Sequence, residues 1–383
     1  MTYKNSAVAL WVLVFSSAAH PQISTTIYGV LDVGVRSSQG LGLTATSSPS
    51  PSPGSTTAES NGVDRSGLFG FTGTEDVGSG YQAVFKLESD LYANTGSINP
   101  NLGNDKNTSA ATTSKFFERQ AFVGLATPFG QVLLGRQQSV IRDVIDGIDA
   151  IDGRFTGFNP NLQYTSLNSS GLVTSPATYY GSGDPGNGSM QRQDNLIKTI
   201  SDIGPFVGTL AYSKVGTAGA SEDGASVQAA LTYIAGPLKL SGAYLDLNNV
   251  TDTLKLKAFT VGGRLTEDDW QLSANFGSNT ADNTVVTHIK TDIYSVGTTY
   301  AASSAVDLTL GYYNVRRNWT NDVKPNAKVN RVIGFAEYKF SKNTLAYLEL
   351  DYNKWGGDVT QFQGGAANSA ATSGMTIGIK HQI

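Results

Sequence analysis

The feature that most constrains this chain is an alternation of period two. Met375, Ile377, Ile379, His381 and Ile383 alternate with Thr376, Gly378, Lys380 and Gln382. Val306, Leu308, Leu310 and Tyr312 alternate with Asp307, Thr309, Gly311 and Tyr313, and the runs from Val227 to Tyr233 and from Trp270 to Phe276 behave alike. Successive side chains of an extended strand point to opposite faces, so each segment carries one apolar and one polar face. Many such segments separated by turns signal an antiparallel sandwich or barrel.

The connections decide between the two. Short ones fall at Asp76–Gly80, Thr127–Gly130, Asp202–Pro205, Gly236–Pro237, Glu267–Asp269, Ala301–Ala305 and Ser341–Thr344. Long ones alternate with them, at Ser38–Gly62, Ala93–Ser114, Ser139–Gln191, Gly216–Gly224, Asn248–Leu254, Asn279–Ile289, Arg317–Lys328 and Gly356–Thr372. Seven short turns and eight long loops join sixteen strands. Short turns at one end and long loops at the other form the layout of a transmembrane β-barrel, and an even strand count leaves both termini on the short-turn side. The expected fold is therefore all-β: a 16-stranded antiparallel transmembrane barrel. Tyr212, Tyr233, Tyr244, Trp270, Tyr312, Phe340 and Tyr352 share the apolar parity near strand ends, as the aromatic girdles of such barrels require. Ser48 to Ser55, rich in Ser and Pro, reads as exposed coil in the first long loop.

Composition agrees. Charged residues are only 15% of the chain, with 43 Gly, 17 Tyr and 16 Phe, which suits β-structure with one wet face. The net charge of −4 argues against a nucleic-acid partner. The absence of cysteine removes disulfides, thiolate metal sites and cysteine nucleophiles. Residues 1–19 read as a signal peptide, with Lys4, an apolar run from Ala7 to Phe15 and small residues Ser17-Ala18-Ala19 before cleavage; residues 20–383 would be the barrel. That apolar run is too short for a membrane-spanning helix, which needs about 20 residues. The three histidines, His20, His288 and His381, have no metal-ligand spacing. No nucleophile elbow or phosphate loop occurs, and Glu75-Asp76 enters a tight turn. No cofactor and no enzymatic activity are expected.

Several runs then resemble one family in order and spacing. Ile27-Tyr-Gly-Val-Leu-Asp-Val-Gly-Val35 is similar to the first strand of the β-proteobacterial trimeric general porins. So are Gly73-Thr-Glu-Asp-Val-Gly-Ser-Gly80, Ala83-Val-Phe-Lys-Leu-Glu-Ser89, Arg119-Gln-Ala-Phe-Val-Gly-Leu125, Phe129-Gly130 with Leu134-Gly-Arg-Gln137, and the tail Ile377-Gly-Ile-Lys-His381. The resemblance covers nearly all of the chain beyond residue 19. It implies an outer-membrane homotrimer, in contact with membrane lipid and lipopolysaccharide, that passes ions and small hydrophilic solutes passively. The alternative is a substrate-selective channel of the same shape, for instance for organic acids. The chain departs from the family at Leu68, where the family carries an inward Arg, and Arg65 three residues upstream is a candidate replacement. It departs again at Ile383, where the family ends in Phe, and in the length of Ser139–Gln191.

The resemblance implies that residues 139–191, the third loop, fold inward and narrow the channel. Within that loop Asp143, Asp146, Asp149 and Asp152 recur every three residues, while Ile141, Val144, Ile145, Ile148 and Ile151 take the other face. This is helical spacing. It describes either a helix packed on the inner wall with its carboxylates and Arg142 toward the channel, or a solvated surface helix. Parity puts Arg36, Lys86, Arg264, Arg331, Lys339, Lys380 and Leu68 inward on the wall, Lys380 near the periplasmic rim. Arg119 and Arg136 match family motifs but alternate with apolar neighbours; a place on the lumen or at a subunit interface is expected for both, and both are counted among the channel-lining residues. Acids on the loop facing bases on the wall would set a transverse field across the channel.

Overall fold

A computed structural model describes residues 23–39, 55–98, 116–154, 192–214, 225–248, 255–282, 288–320, 327–357 and 371–383. The leader assigned to residues 1–19, the coil before Ser55 and the third loop beyond Arg154 lie outside the described residues. The strands are β1 (Ile23–Gln39), β2 (Ser55–Asn61), β3 (Leu68–Gly78), β4 (Tyr81–Asp90), β5 (Gln120–Thr127) and β6 (Gly130–Gln138). Helix α1 (Val140–Ile148) follows. The rest are β7 (Arg192–Ile203), β8 (Phe206–Ser213), β9 (Ser226–Ala235), β10 (Leu238–Asn248), β11 (Lys255–Glu267), β12 (Trp270–Asp282), β13 (His288–Ser303), β14 (Val306–Thr320), β15 (Ala327–Lys339), β16 (Thr344–Gly357) and β17 (Ala371–Gln382).

All strands lie in one antiparallel sheet that closes on itself. The closing seam pairs β1 with β17, Val33 opposite Ile379. Its end is tied by Ile383 N–H donating to Gly29 O at 3.0 Å and Gly29 N–H donating back at 3.3 Å. β2 and β3 share one position in the wall: β2 pairs with the long-loop half of β1, Val33 opposite Asn61, and β3 with the other half, Ile27 opposite Phe71. The wall therefore has the sixteen positions expected. Residues 55–61, assigned to the first long loop by pattern, belong to it as strand.

Period-two alternation maps onto the two faces. Leu308, Leu310, Met375, Ile377 and Ile379 are exposed on the outside, while Thr309, Thr376 and Lys380 beside them are buried inside. All seven expected short turns are present. On the long-loop side the strands run further than alternation suggests: β13 begins at His288, β14 reaches Thr320 and β15 begins at Ala327. The outward positions there are Lys290, Arg316 and Lys328, so the apolar half of the pattern fades while the backbone ladder continues. Wall height is uneven. β5 and β8 have 8 residues each, against 16 in β13 and 15 in β14.

Candidate functional site: the channel constriction

The third loop leaves β6 and turns directly into α1. Ser139 caps it, its hydroxyl accepting from Arg142 N–H at 3.2 Å and satisfying one of the free donors of the first turn. Val140, Ile141, Val144, Ile145 and Ile148 face one side and are at most 6% exposed. They pack against Leu196, Ala211, Ala243, Leu245, Leu247, Leu256, Ala258 and Ala281 on the inner wall. Burying five such side chains contributes on the order of 10 kcal/mol as an upper bound, which an isolated nine-residue helix needs to persist. The inward-packed helix, rather than the solvated one, is what the structure contains.

Beyond α1 the loop continues along the wall. Ala150 and Ile151 join Val63, Tyr313, Ile333, Phe335 and Tyr347 in a second apolar cluster. Three glycines of the wall lie directly beneath the loop. A Cβ on Gly262 would lie 2.9 Å from Ile148 Cδ1, and one on Gly297 or Gly311 would collide with Ala150 or Ile151. The loop lies directly on the backbone of β11, β13 and β14.

The expected acidic stripe is split. The helix ends at Ile148, and Asp149 is an extended C-cap residue with no exposed surface. Its carboxylate accepts from Ile151 N–H at 3.1 Å, Gly153 N–H at 3.0 Å and Tyr313 Oη at 3.1 Å, so it ties the loop down instead of facing the channel. The other three carboxylates are partly exposed and all are paired. Asp143 meets Lys198 Nζ at 2.7 Å, and Asp146 meets Arg142 Nε at 2.8 Å one turn away on the helix. Asp152, at φ 60°, is surrounded by guanidinium groups: Arg264 at 2.8 Å, Arg65 at 3.4 Å and Arg154 at 3.9 Å.

Arg65 lies in the break between β2 and β3. Its backbone N–H donates to Asp32 at 2.7 Å, which turns the side chain inward toward the loop. Beside it Asp64, with no exposed surface, pairs with Lys380 and, at 3.4 Å, with Arg154; Arg154 also holds Glu337 at 2.8 Å. Lys380, near the short-turn end of β17 and opposite Asp32 of β1, serves this cluster.

The remaining wall residues take different places. Leu68 is opposite inward Val30 and Asp90, on the inner face. Lys86 pairs with Glu88 at 3.1 Å and lies over the Tyr28 ring. Arg119 binds Glu88 at 2.6 Å and also Asp90; it precedes β5, so strand parity does not apply to it. Next to it Glu118 accepts from Asp90 N–H at 2.5 Å and Ser89 Oγ at 2.8 Å, while burial pushes its carboxyl above the usual range. Arg136 bonds Glu118 O at 2.5 Å and Asp194 at 2.7 Å from a β-bulge between Gly135 and Gln137. A bulge shifts alternation by one residue, which accounts for the broken parity at Arg136, as the position before β5 does for that at Arg119. Arg36 binds Glu349 at 2.8 Å and Asp351 at 2.5 Å on the inner wall. Arg331 is fully buried and bonded to Asn353, and Lys339 pairs with Asp307 at 2.6 Å near the short-turn end.

Lys198, Lys239 and Arg154 escaped the sequence reading. Lys198 and Lys239 follow strand parity, next to outward Ile197 and Leu240. Lys239 is opposite Arg264 in the ladder and passes beside Gly147, where a methyl would lie 3.1 Å from its Cε. Its ammonium has no ion pair among the described residues. Arg154 follows the helical spacing and carries no periodic signal.

A closed antiparallel barrel of sixteen wall positions has counterparts in known proteins. A family model described as Gram-negative porin matches residues 6–358. The chain belongs to that family. This porin is 28% identical to an outer membrane porin of Bordetella pertussis over 243 residues, which cover 61% of this chain and 57% of that one. It is 24% identical to the major outer membrane protein P.IB of Neisseria meningitidis over 391 residues, covering 99% of this chain and all of that one. Its fold matches an anion-selective porin from Comamonas acidovorans with a TM-score of 0.70 at 19% identity, covering 94% of this chain and 100% of the other. A trimer form of OmpT from Vibrio cholerae matches with a TM-score of 0.63 at 16% identity, over 94% and 99% of the two chains. The porin is a channel of the outer membrane, and its family points to passage rather than catalysis.

Proposed function

We propose that this porin lets ions and small hydrophilic solutes diffuse through an opening bordered by α1 and the Asp152 segment, with a preference for anions. The observation that carries this is the charge balance at the narrow point. Arg65 and Arg264 share Asp152, Arg154 is held by Glu337 and Asp64, and Lys239 beside them has no ion pair among the described residues, so three bases meet one carboxylate there. The structurally similar Comamonas porin is anion-selective by name, in keeping with this reading. Reversal potential across a salt gradient in a planar bilayer tests it: the zero-current potential should have the sign of anion preference, and the opposite sign would refute it. A dedicated organic-acid channel would in addition show conductance block that saturates with one solute.

The low wall supports a homotrimer. A membrane-crossing strand needs about 9–11 tilted residues, and β5 and β8 have 8. Near β5, Phe69, Phe71, Phe116 and Phe117 form a chain of edge-to-face contacts with ring centroids 4.8–6.4 Å apart. Covered by other copies, this side needs no lipid of full thickness. Unheated electrophoresis should give a band near three times the monomer mass, and light scattering in mild detergent should agree; a monomer by both would end the idea.

A further inference from the structure

A bulge adds one residue to a strand; the break between β2 and β3 adds several. Opposite β1, Asn61 faces Val33 and Leu68 faces Val30, so the stretch from Gly62 to Gly67 stands against only Leu31 and Asp32. The excess chain folds to the inside. Val63, 3% exposed, joins Ile151 of the third loop and Tyr347 of β16 in one apolar cluster. Lipid cannot satisfy the backbone groups of such an insertion, so the inner side is where it goes.

Asp32 replaces ladder bonds that the insertion loses. Its backbone O accepts from Gly62 N–H at 2.9 Å, one carboxylate oxygen accepts from Arg65 N–H at 2.7 Å, and the other accepts from Tyr347 Oη at 2.7 Å. Gly62, at φ 68°, makes the entry turn, and a Cβ there would lie 2.9 Å from Arg65 O. The exit is held by Leu91 N–H, which donates to Gly67 O at 3.0 Å. Asp32 has no exposed surface, whereas the Arg65 side chain is 41% exposed. Asp32 bonds the main chain of Arg65 and not its guanidinium, which reaches Asp152 at 3.4 Å. The bond therefore fixes where the base stands without cancelling its charge.

We infer that Asp32 is a positioning residue for ion selectivity: out of reach of any solute, it holds the Arg65 guanidinium in place and so sustains the anion preference proposed above, on which the inference rests. The sign of the effect sets this role apart. A buried carboxylate acting by its own field opposes anions, and its removal would favour them. Lys380, opposite Asp32 in the ladder and paired with Asp64, would be less balanced without Asp32 and would push the same way. A carboxylate acting through Arg65 has the reverse effect: once the N–H loses its acceptor, the insertion loosens and the base leaves its fixed place.

The test is the reversal potential of the full-length protein in planar bilayers under one salt gradient. Asp32→Ala should lower the anion-to-cation permeability ratio about twofold, although it removes a negative charge. Asp32→Asn, whose amide oxygen can still accept from Arg65 N–H, should stay near the wild-type ratio. In an Arg65→Gln background, Asp32→Ala should bring no further fall. Gly62→Ala strains the entry turn while leaving Asp32 intact, and should lower the ratio in the same direction; it carries the test should Asp32→Ala fail to assemble. A ratio that rises or stays level in Asp32→Ala, or stays level in Gly62→Ala, overturns the inference. So does an equal fall in the Arg65→Gln background, or a fall in Asp32→Asn as large as that in Asp32→Ala. A wild type that prefers cations refutes the proposed function, yet the changes in ratio are still read against it, so the two failures are distinct.

Discussion

The two ends of the described third loop are held by opposite means. α1 is seated on β8 to β12 by aliphatic contact, whereas the segment from Asp152 to Arg154 is seated against the β2–β3 break and β15 by charge. The first seat is insensitive to salt, because the hydrophobic effect has no counter-ion to compete with it. The second is exposed to channel water on one side, where ions screen within about 10 Å at 0.1 M. The difference teaches that α1 and the charged segment after it respond differently to salt, and that the two can be altered separately.

The strongest way to break this contrast is Ile148→Asp. A carboxylate placed where Ile148 has no exposed surface should cost more than about 3 kcal/mol and unseat the helix, leaving the barrel assembled. Single-channel conductance should rise and fluctuate; a steady, unchanged conductance would mean that the apolar seat does not hold the loop. Asp149→Ala comes next, because three donors lose their acceptor between the two seats, at about 2–4 kcal/mol in all. Tyr313→Phe removes one of those donors and should cost about 1 kcal/mol. Thermal melts of the assembled protein rank the two.

Arg154→Ala sharpens the comparison. It removes the base between Glu337 and Asp64, but Lys380 remains on Asp64, so the loss should be about 2 kcal/mol and confined to the charged segment. Hydrogen exchange should show faster amides at residues 150–154 and unchanged protection in α1; equal loosening of both would erase the distinction. Lys239→Gln leaves both seats intact and should lower the anion-to-cation permeability ratio by about twofold, the effect of one charge in a wet, screened gap. The smallest effect is expected at Leu68→Arg. A guanidinium there would face Asp90, already held by Arg119, so reversal potential should barely move, while Arg65→Ala should shift it toward cations.

Sequence reached the barrel because alternation is a property of every strand and repeats along the chain. It reached α1 because Ile141, Val144, Ile145 and Ile148 carry a helical period against the surrounding period of two. It failed at Asp149 and Asp152, which keep the spacing after the helix has ended: three-residue recurrence does not reveal where a chain leaves helical dihedrals. It failed at Arg136 because a bulge changes parity without leaving a mark in residue type. Arg65 and Arg154 were legible as charges but not as partners of one carboxylate, since they are distant in sequence and meet only when the wall closes. The tops of β13 to β15 were cut short where Lys290, Arg316 and Lys328 interrupt the outward apolar positions.

Gly262, Gly297 and Gly311 have a consequence for how wide the channel is. Each is a place where the loop rests on bare backbone, so the missing side chains act as a shim of zero thickness between wall and loop. Adding a methyl at Gly297 or Gly311 would lift the loop from the wall toward the channel axis, and the opening would shrink although no group that touches a solute had changed. On the function proposed above, bore and charge are encoded in different residues: charge in Arg65, Lys239 and Arg264, bore in positions that have no side chain at all. A relative could widen or narrow its passage by exchanging glycine for alanine under the loop while keeping its selectivity, and a survey confined to the residues facing the water would not register the change.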